Sequence, residues 1–511
     1  MFVKSFGSAI VGIEAIPIAV EVNITAGIGM YMVGLPDNAV RESQERIRAA
    51  FENCSYKMSG KKVVVNLSPA DIRKEGSAYD LTIAVAILAA TEQLPAPALE
   101  SCIVMGELSL DGSLLPIRGA LPIAVEARRQ GLRKIILPRA NAPEAAVVEG
   151  VEVYGADHLR QVVDLLRGEP VLQPVKIDVR ERFERKAATS DLDFGDVRGQ
   201  QAVKRALEIA AAGGHNALMI GPPGSGKTML AKRMPSIMPP LTMDEALETT
   251  KIHSVAGKIG AAQGLLTQRP FRSPHHLASR VALVGGGSSP QPGEISLAHN
   301  GILFLDELPE FGRNLLETMR QPMEDKEVTV SRSKYTVCYP ADFMLIASMN
   351  PCPCGYYNHP TRPCVCSKGA VFKYLNRISG PMLDRIDLHI EVVPVAFAEL
   401  SSAHTEESSA EIRRRVVAAR RIQQERFAGT STHTNAAMTS RQLREHCPLD
   451  AGPAALLSQA MERLNLSARA YDRIVKVSRT IADLEGCERI GPNHIAEAIR
   501  YRSLDRQAWG E

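Results

Sequence analysis

Hydrophobic positions change their spacing along the chain and divide it into zones. In residues 1–170, short β-type runs such as KKVVVNLS (61–68) and KIILP (134–138) alternate with helical patterns such as the apolar DLTIAVAILAAT (80–91). Short runs of branched apolar residues favour strands, whereas longer apolar segments favour helices. The pattern therefore predicts an α/β domain in this first zone.

Three further zones follow. A charged segment without sustained apolar periodicity predicts a linker, and strand–loop–helix units then return from Phe194 to about Val395. Beyond them the patterns are helical, as in EIRRRVVAARRIQQERF (411–427), and they end near Tyr501. We therefore expect a multidomain α/β protein with an N-terminal domain at 1–170, a linker at 171–193, a second α/β domain at 194–395 and a helical C-terminal domain at 396–511.

A glycine-rich loop in the second α/β zone has the pattern of a phosphate-binding loop. The strand-like NALMI (216–220) precedes it and a helical pattern follows, which is the context that such a P-loop requires. Its residues are Gly221, Pro222, Pro223, Gly224, Ser225, Gly226, Lys227 and Thr228. Glycines let backbone N–H groups turn toward phosphates. The Lys227 side chain can reach the β- and γ-phosphates, and the Thr228 hydroxyl can bind Mg²⁺.

Two later strands end in polar residues that complete this chemistry. GILFLDE (301–307) ends in Asp306, placed to hold Mg²⁺ through water, and Glu307, placed to act as the general base on the attacking water. FMLIASMN (343–350) ends in Asn350, which can orient that water, although a simple strand-end turn is the alternative. The set predicts an ATPase with ATP and Mg²⁺ as cofactors.

These motifs resemble those of AAA+ ATPases with a P-loop αβα core, in the branch that contains magnesium-chelatase motor subunits and MCM helicases. PGEISLAHNGILFLDEL (292–308) carries the resemblance, as do FRSPHHLASRVALVGGG (271–287) and a predicted β-hairpin at 327–343. The last two look like the substrate-gripping elements of that branch, and solvated surface loops are the alternative. On the first interpretation, four basic residues face a pore: Arg272, Arg280, Arg332 and Lys334.

The resemblance also implies two arginine roles. LDRID (383–387) resembles the segment that supplies an arginine finger, so that Arg385, with Arg377 as the fallback, stabilises the γ-phosphoryl group bound to a neighbouring subunit. An intramolecular salt bridge is the alternative for Arg385. Arg469 is similar to the arginine with which the helical lid senses nucleotide, and Arg473 lies one turn later. A finger acting in trans implies a homo-oligomer, and the resemblance implies a hexamer.

Four cysteines stand together in a loop at 351–367. Cys352 and Cys354 form one pair, Cys364 and Cys366 the other, and two such pairs can close a tetrahedral Zn²⁺ site with a structural role. The spacing of one residue within each pair is less usual than that of common zinc fingers. Redox-active or unliganded thiols and an iron–sulfur cluster are therefore the alternatives.

The N-terminal zone resembles the proteolytic domain of Lon-type proteases. Residues 106–141 are similar to the Lon segment with the catalytic lysine, and residues 74–88 are similar to the segment with the nucleophilic serine. At the matched positions this chain has Leu121 in place of the lysine and Ala78 in place of the serine. A Ser–Lys dyad needs a hydroxyl and an amine in contact. We therefore expect a Lon-like domain without protease activity.

Composition narrows the class of protein without identifying a partner. The chain is 45% hydrophobic and 23% charged, as in ordinary soluble globular proteins. A net charge of +3 neither requires nor excludes nucleic acid. The apolar runs are all well short of the roughly twenty residues of a membrane span, and the nine cysteines lack the pattern of a secreted disulfide framework. We expect a cytoplasmic protein without a membrane partner.

The combination of a Lon-like domain, a chelatase-like core, a cysteine loop and a helical C-terminal lid resembles the YifB/ComM family over essentially the full chain. The resemblance implies a hexameric DNA translocase or helicase that promotes branch migration during recombination of transforming DNA. Its partner would be single-stranded or branched DNA. Two alternatives stay open: a magnesium-chelatase-type motor subunit, and an ATP-dependent protein unfoldase without protease activity.

Overall fold

The computed structural model describes residues 1–178, 192–260, 263–287, 290–332, 335–357, 359, 361–395, 406–502 and 504. Most of the predicted linker and Lys334 lie outside the described residues, as does the side chain of Arg332. The chain divides into two compact units. The first contains Met1–Arg185, Met243–Thr267 and Pro290–Pro292, and the second contains Lys186–Thr242, Gln268–Ser289 and Gly293–Glu511.

The first unit begins with alternating strands and helices. Its strands are β1 (Phe2–Val11), β2 (Glu14–Thr25), β3 (Met30–Val33), β4 (Lys62–Ser68), β5 (Cys102–Val104), β6 (Glu107–Leu108), β7 (Leu114–Leu115), β8 (Lys134–Pro138) and β9 (Glu152–Ala156). Its first five helices are α1 (Asn38–Cys54), α2 (Asp80–Ala90), α3 (Ala120–Arg129), α4 (Ala142–Ala145) and α5 (Leu159–Leu166). The structure confirms the strands predicted at 61–68 and 134–138 and the helix predicted at 80–91.

A seven-stranded mixed sheet organises this unit, in the order β3-β4-β2-β1-β5-β8-β9. Strands β1 and β2 form a long antiparallel hairpin in which Phe2 faces Asn23 and Val11 faces Glu14. Gly12 has a φ of 65°, a left-handed conformation that glycine adopts without strain in so tight a turn. Every residue of α2 is buried, which explains why its sequence is apolar on all sides.

A helix from the predicted second domain packs into the first unit. Helix α8 (Met243–Val255) follows the P-loop segment in sequence, yet its carbonyl at Ser254 accepts a hydrogen bond from Gly119 N at 3.2 Å. Close by, a Cβ on Gly264 would lie 2.6 Å from the carbonyl oxygen of Pro143, so the two backbones are in direct contact. The first unit is therefore built from separate stretches of the chain, three in all.

The second unit contains the remaining elements except β13, which lies in the Pro290–Pro292 stretch of the first unit. Its helices before the C-terminal region are α6 (Gln201–Gly213), α7 (Lys227–Ile237), α9 (Arg280–Val284), α10 (Glu294–Leu297), α11 (Arg313–Thr318), α12 (Arg320–Asp325), α13 (Lys368–Leu375) and α14 (Gly380–Leu383). The later strands are β10 (Ala217–Ile220), β11 (Phe271–Arg272), β12 (Gly285–Gly286), β13 (Gln291–Pro292), β14 (Ile302–Leu305), β15 (Glu327–Arg332), β16 (Tyr335–Pro340), β17 (Met344–Met349) and β18 (Leu388–Glu391).

A five-stranded parallel sheet forms the centre of the second unit, in the order β11-β14-β17-β10-β18. Strands β10, β14 and β17 are wholly buried, as expected for a parallel sheet covered on both faces. They are neighbours, so the polar residues that follow them come together at one edge of the sheet. The predicted hairpin at 327–343 is also confirmed, because β15 and β16 pair antiparallel.

Five helices complete the second unit: α15 (Ser409–Arg426), α16 (Ser440–His446), α17 (Ala451–Leu464), α18 (Ala468–Leu484) and α19 (Pro492–Arg500). A buried polar network joins α18 to the sheet region. The His215 ring lies 2.8 Å from both Asp387 Oδ2 and Thr480 Oγ1, and Arg473 Nη1 lies 2.8 Å from Asp387 Oδ1. Within the described residues, no helix is long and apolar enough to cross a membrane.

Candidate active site

The P-loop joins β10 to α7 with a backbone that only glycine accommodates easily. A Cβ on Gly221 would lie 2.2 Å from the carbonyl oxygen of Val392, so the loop passes directly against another backbone. Gly224, at a φ of 77°, faces open space, with no atom within 4 Å of where its Cβ would be. Helix α7 then begins at Lys227. A helix N-terminus that follows a glycine loop is suited to bind phosphate.

Lys227 is held inside this loop. Its Nζ lies 2.7 Å from the carbonyl oxygen of Gly221, 2.9 Å from that of Pro222 and 3.4 Å from Asn350 Oδ1. These oxygens are neutral, so the ammonium group is stabilised by dipoles and is available to a phosphate anion. Desolvation lowers the pKa of Lys227, and the carboxylates of Asp306 and Glu307 oppose that shift.

The hydroxyl of Thr228 and the carboxylate of Asp306 meet at the carboxyl end of β14. Thr228 Oγ1 donates to Asp306 Oδ2 at 2.8 Å, and the Ser348 hydroxyl on β17 donates to the other carboxylate oxygen. Both Thr228 and Asp306 therefore offer hard oxygen atoms at one point beside the P-loop. This donor set is the kind that Mg²⁺ prefers in nucleotide sites. The residues present thus fit a Mg²⁺–nucleotide complex.

Glu307 has an unusual backbone conformation. Its φ is 54°, in the left-handed region that non-glycine residues adopt rarely. Its backbone nitrogen lies 3.2 Å from Asp306 Oδ1 and 3.4 Å from Ser348 Oγ, so the N–H group is directed back toward the ends of β14 and β17. The turn directs the side chain away from the buried strand, and Glu307 lines a cavity outside it.

That cavity of about 650 Å³ contains Glu307 and Asn350 together. The other lining residues are His276, Glu310, Pro353, Ala370, Lys373, Tyr374 and Arg377. Desolvation, chiefly, raises the pKa of Tyr374 to about 12, and the nearby Glu310 adds to the shift. Sequence reasoning missed His276, Lys373 and Tyr374. For the last two, the available signal was their position close before Arg377, at the end of the helix that follows the cysteine loop.

The two finger candidates have different surroundings. Arg385 is nine-tenths buried, forms an ion pair with Glu324 and donates to the carbonyl oxygen of Pro381 at 2.6 Å, but its Nε lacks a partner among the described residues. Arg377 is half-exposed and pairs with Glu310 at 2.7 Å, beside the cavity. In the single chain, Arg385 is thus held internally, whereas Arg377 belongs to the site of its own subunit.

The two lid candidates are both ion-paired to the LDRID segment. Arg469 is mostly exposed at the start of α18, and its Nη1 lies 3.0 Å from Asp384 Oδ2. Arg473, one turn later and more buried, binds Asp387 at 2.8 Å. Burial alone would raise the pKa of Asp387, yet Arg473 and His215 hold it well below its ordinary value. The exposed Arg469 is therefore the more accessible of the two.

The proposed substrate-gripping elements are only partly available for contact. Arg272 forms a bidentate ion pair with Glu294, at 2.6 and 2.7 Å, which leaves little of its charge for an outside partner. Arg280 is exposed at the start of α9, next to the exposed Leu277 and Val281. Of the two predicted basic residues whose side chains are described, Arg280 is the more exposed.

The four loop cysteines converge on one point. Their sulfur atoms all lie within 4.8 Å of one another, and no other ligand type takes part in this group. The slight burial of Cys354 would raise its pKa, but backbone N–H groups of Tyr356 and Val365 bond to the sulfur and lower the pKa to about 6. The arrangement is suited to bind a thiophilic metal ion through four thiolates.

The matched protease positions in the first unit carry no dyad. Ala78 lies in a short 3₁₀ turn before α2, and Leu121 is fully buried near the start of α3. The neighbouring Ser77 hydroxyl is bound to the Glu107 carboxylate. Asp80 is buried and forms a bidentate ion pair with Arg46 at 2.6 and 2.9 Å. The matched positions therefore carry no serine–lysine dyad, and the described residues around them form a structural ion pair and a serine–carboxylate hydrogen bond.

Family comparisons match most of the chain to one group of proteins. The model described as magnesium chelatase, subunit ChlI, matches residues 193–400. A second, subunit ChlI of Mg-chelatase, matches residues 20–141, and a third, the ChlI C-terminal model, matches residues 406–502. Over 29% of its length the chain is also 27% identical to Lon protease 2 of Thermus thermophilus, covering 20% of that protein. These matches support a mixed α/β protein with an AAA+ core and Lon-like similarity.

Full-length relatives define the family more closely. The chain is 46% identical to the uncharacterized protein YifB of Salmonella typhimurium, over 98% of this chain and 96% of that protein. It is 44% identical to the competence protein ComM of Haemophilus influenzae, over 98% of this chain and 97% of that protein. Membership in an AAA+ family implies ATP and Mg²⁺ as cofactors and an oligomeric state. The chain belongs to the YifB/ComM family of magnesium-chelatase-like AAA+ proteins.

Proposed function

We propose that this protein is an ATP-hydrolysing ring motor that moves DNA and promotes branch migration during recombination of transforming DNA. One observation carries the proposal: Lys227, Thr228, Asp306, Glu307 and Asn350 meet at the ends of three neighbouring parallel strands. The DNA partner rests on the resemblance to the YifB/ComM family and on the printed name of the competence relative.

Each residue of the site has one role in the proposed reaction. The P-loop N–H groups and Lys227 hold the phosphates, while Thr228 and Asp306 hold Mg²⁺. When bound, Mg²⁺ neutralises charge on the phosphate oxygens. Glu307 accepts a proton from the attacking water, and Asn350 orients that water. Both side chains line the same cavity, which supports their acting on the same water.

We propose that Arg385 completes the site of a neighbouring subunit in a hexameric ring. Its ion pair with Glu324 is partly at the surface, because the glutamate is 59% exposed, and the guanidinium Nε has no hydrogen-bond partner among the residues that the structure describes. Assembly would exchange Glu324 for a γ-phosphoryl group, an anion of greater charge. Arg469 would sense nucleotide from the lid by leaving Asp384. In each case the arginine would give up a charge-assisted hydrogen bond to a carboxylate of its own chain and gain another to the nucleotide.

We further propose that the cysteine group holds a structural Zn²⁺. The four sulfur atoms supply the complete coordination shell of a closed tetrahedral site. A closed shell leaves no position for water or substrate, so the ion has no part in hydrolysis itself. The cysteine loop distinguishes this protein from an ordinary P-loop ATPase core. With zinc bound there, the protein would have a third cofactor in addition to ATP and Mg²⁺.

A magnesium-chelatase-type motor subunit is the second candidate, because three chelatase models match the chain. In that case ATP turnover would depend on a chelatase partner protein and not on DNA. A protein unfoldase without protease activity is the third, supported by the Lon-like first unit that carries Ala78 and Leu121 at the dyad positions.

A strand-displacement assay tests the proposed function. A labelled three-strand or four-strand DNA junction is mixed with wild-type protein and ATP, and the released strand is measured. We expect ATP-dependent release by the wild type and none by Lys227→Ala, which lacks the phosphate-binding ammonium group. Failure of the wild type to move any branched substrate, at a protein concentration that hydrolyses ATP, would contradict the proposed function.

A further inference from the structure

The cysteine loop lies directly beside the nucleotide site. It begins at the residue after Asn350 and ends where α13 begins at Lys368. Pro353, between the first two cysteines, lines the cavity that contains Glu307. A metal site in this loop is therefore in a position to affect the nucleotide site as well as the stability of the loop.

The sulfur positions correspond to a single metal ion. The Cys352 sulfur lies 3.3 Å from that of Cys354 and 3.7 Å from that of Cys364, and the sulfurs of Cys354 and Cys364 are 3.5 Å apart. A tetrahedral ion with Zn–S bonds of about 2.3 Å separates its sulfur ligands by about 3.8 Å. A two-iron cluster would instead divide the four sulfurs between two irons, which is inconsistent with four sulfurs within 4.8 Å.

The loop also packs tightly on the P-loop. Gly355 has a φ of 85°, and a Cβ there would lie 2.6 Å from Cδ and 2.9 Å from Cγ of Pro223. Its backbone N–H donates to the carbonyl oxygen of Cys352, which is fully buried. The proline ring is rigid, so the P-loop at Pro223 is in direct packing contact with the cysteine loop at Gly355, with no room for a further atom between them.

We propose that the metal-loaded cysteine loop is a positioning element of the ATP site, and that Zn²⁺ bound to the four cysteines holds Gly355 against Pro223 and thereby fixes the P-loop for phosphate binding. The inference rests on the ATPase part of the proposed function and is independent of the DNA partner. Without the metal, the loop between Asn350 and α13 would lose the bonds that order it. The P-loop would then lose one of its supporting surfaces.

A pair of glycine substitutions separates the metal from the contact. Gly355→Ala inserts a methyl group against Pro223 and leaves all four cysteines in place. Gly429→Ala is the matched control, because Gly429 also has a left-handed φ, of 77°, but no described atom lies within 4 Å of its Cβ position. Metal content, nucleotide affinity and basal ATP turnover without DNA are measured for both full-length variants.

We expect both variants to retain one Zn²⁺ per chain. In Gly355→Ala the affinity for ATP, or the turnover, should fall by about tenfold to a hundredfold, since displacements of about 1 Å in a catalytic site have effects of this size. Gly429→Ala, which has the same kind of backbone strain without the contact with Pro223, should behave as the wild type. A Gly355→Ala protein that contains zinc and has wild-type kcat and KM for ATP would overturn the positioning role.

Removing the metal from the wild type tests the other half of the proposal. Zinc is released with a thiol-blocking mercurial and a chelator, and after reduction it is added back. Nucleotide binding should be lost with the metal and return in proportion to the zinc that is bound again. Full nucleotide affinity in metal-free protein whose circular dichroism is unchanged would overturn the proposal.

Cysteine variants locate the metal. Cys366→Ser should lower the zinc content, whereas Cys487→Ser, which changes an exposed cysteine of the C-terminal helices, should leave it unchanged. Zinc loss in Cys487→Ser with retention in Cys366→Ser would place the ion elsewhere and overturn the assignment. None of these measurements uses DNA. Their results can therefore be interpreted even if the protein proves not to act on DNA.

Discussion

At the scale of single residues, the site depends on how the chain turns between Asp306 and Glu307. Asp306 is held by two hydroxyl groups, from Thr228 and Ser348, while Glu307 takes a left-handed backbone conformation immediately afterwards. Backbone strain of this kind, of roughly 1–3 kcal/mol, persists only where the surrounding structure enforces it. Here it separates two adjacent acids, Asp306 toward the Thr228 hydroxyl, where we propose that Mg²⁺ binds, and Glu307 toward the cavity.

This division of roles predicts the behaviour of Glu307→Gln. The variant keeps the size of the side chain and should bind ATP normally, but its turnover should fall about a hundredfold or more because an amide cannot accept the proton. Binding is measured with a fluorescent nucleotide and turnover by phosphate release, with Glu425→Gln on an exposed face of α15 as control. Normal turnover in Glu307→Gln would show that another group is the base.

The two arginine candidates can be separated in mixed rings. Arg385→Ala should be inactive alone but regain part of its activity when mixed with Lys227→Ala, because each subunit would supply what its neighbour lacks. Arg377→Ala should not recover in the same mixture, since Arg377 lines the cavity of its own Glu307. Phosphate release is measured over a range of mixing ratios. Recovery with Arg377→Ala alone would transfer the trans role to Arg377.

At the scale of elements, the strands that the sequence predicted most accurately are buried strands that end in a polar turn. Strands β10, β14 and β17 were all predicted. A short run of apolar residues that is followed by glycine or by a polar residue is typical of a buried strand and has few other structural interpretations. The β1–β2 hairpin was not predicted, since its apolar residues are interrupted without strict alternation. The Glu324 partner of Arg385 lies 61 residues away in sequence, a tertiary contact that no local pattern indicates.

The network that joins α18 to the sheet region predicts acid sensitivity. Burial lowers the pKa of His215 in the fold despite the opposing effect of Asp387, whereas in the unfolded chain a histidine takes up a proton near pH 6.5. Unfolding therefore becomes easier as the pH falls below about 6.5, while the full stability is present above it. His389 is also buried with a lowered pKa, so it contributes with the same sign.

We expect the midpoint temperature of thermal unfolding of the wild type to decrease as the pH is lowered from about 7.5 to about 5.5. The decrease should be smaller in His215→Gln, whose side chain does not titrate. Thr480→Val is a useful comparison, because it removes the hydroxyl contact and leaves His215 in place. An equal fall in the wild type and His215→Gln would exclude His215 as a source of the acid sensitivity.

At the scale of the whole molecule, the first unit is connected to the second by more than the predicted linker. Helix α8 follows the P-loop helix α7 in the chain but belongs to the first unit, with Ile252 and Val255 buried there. The similarity to Lon protease supports the Lon-like character indicated by the sequence, and the absence of protease activity stays a prediction. The sequence did not indicate that a later helix would join this domain, because an amphipathic pattern does not show which element the helix packs against.

The central claim is that ATP hydrolysis drives movement on DNA. The most direct test is the steady-state ATPase rate of purified protein with no addition, with a branched DNA junction, with single-stranded DNA and with an unfolded protein. We predict stimulation by DNA that weakens steeply between about 50 mM and about 200 mM salt, because phosphate contacts release counterions. Stimulation by the unfolded protein alone, with no response to either DNA, would contradict the account and favour an unfoldase.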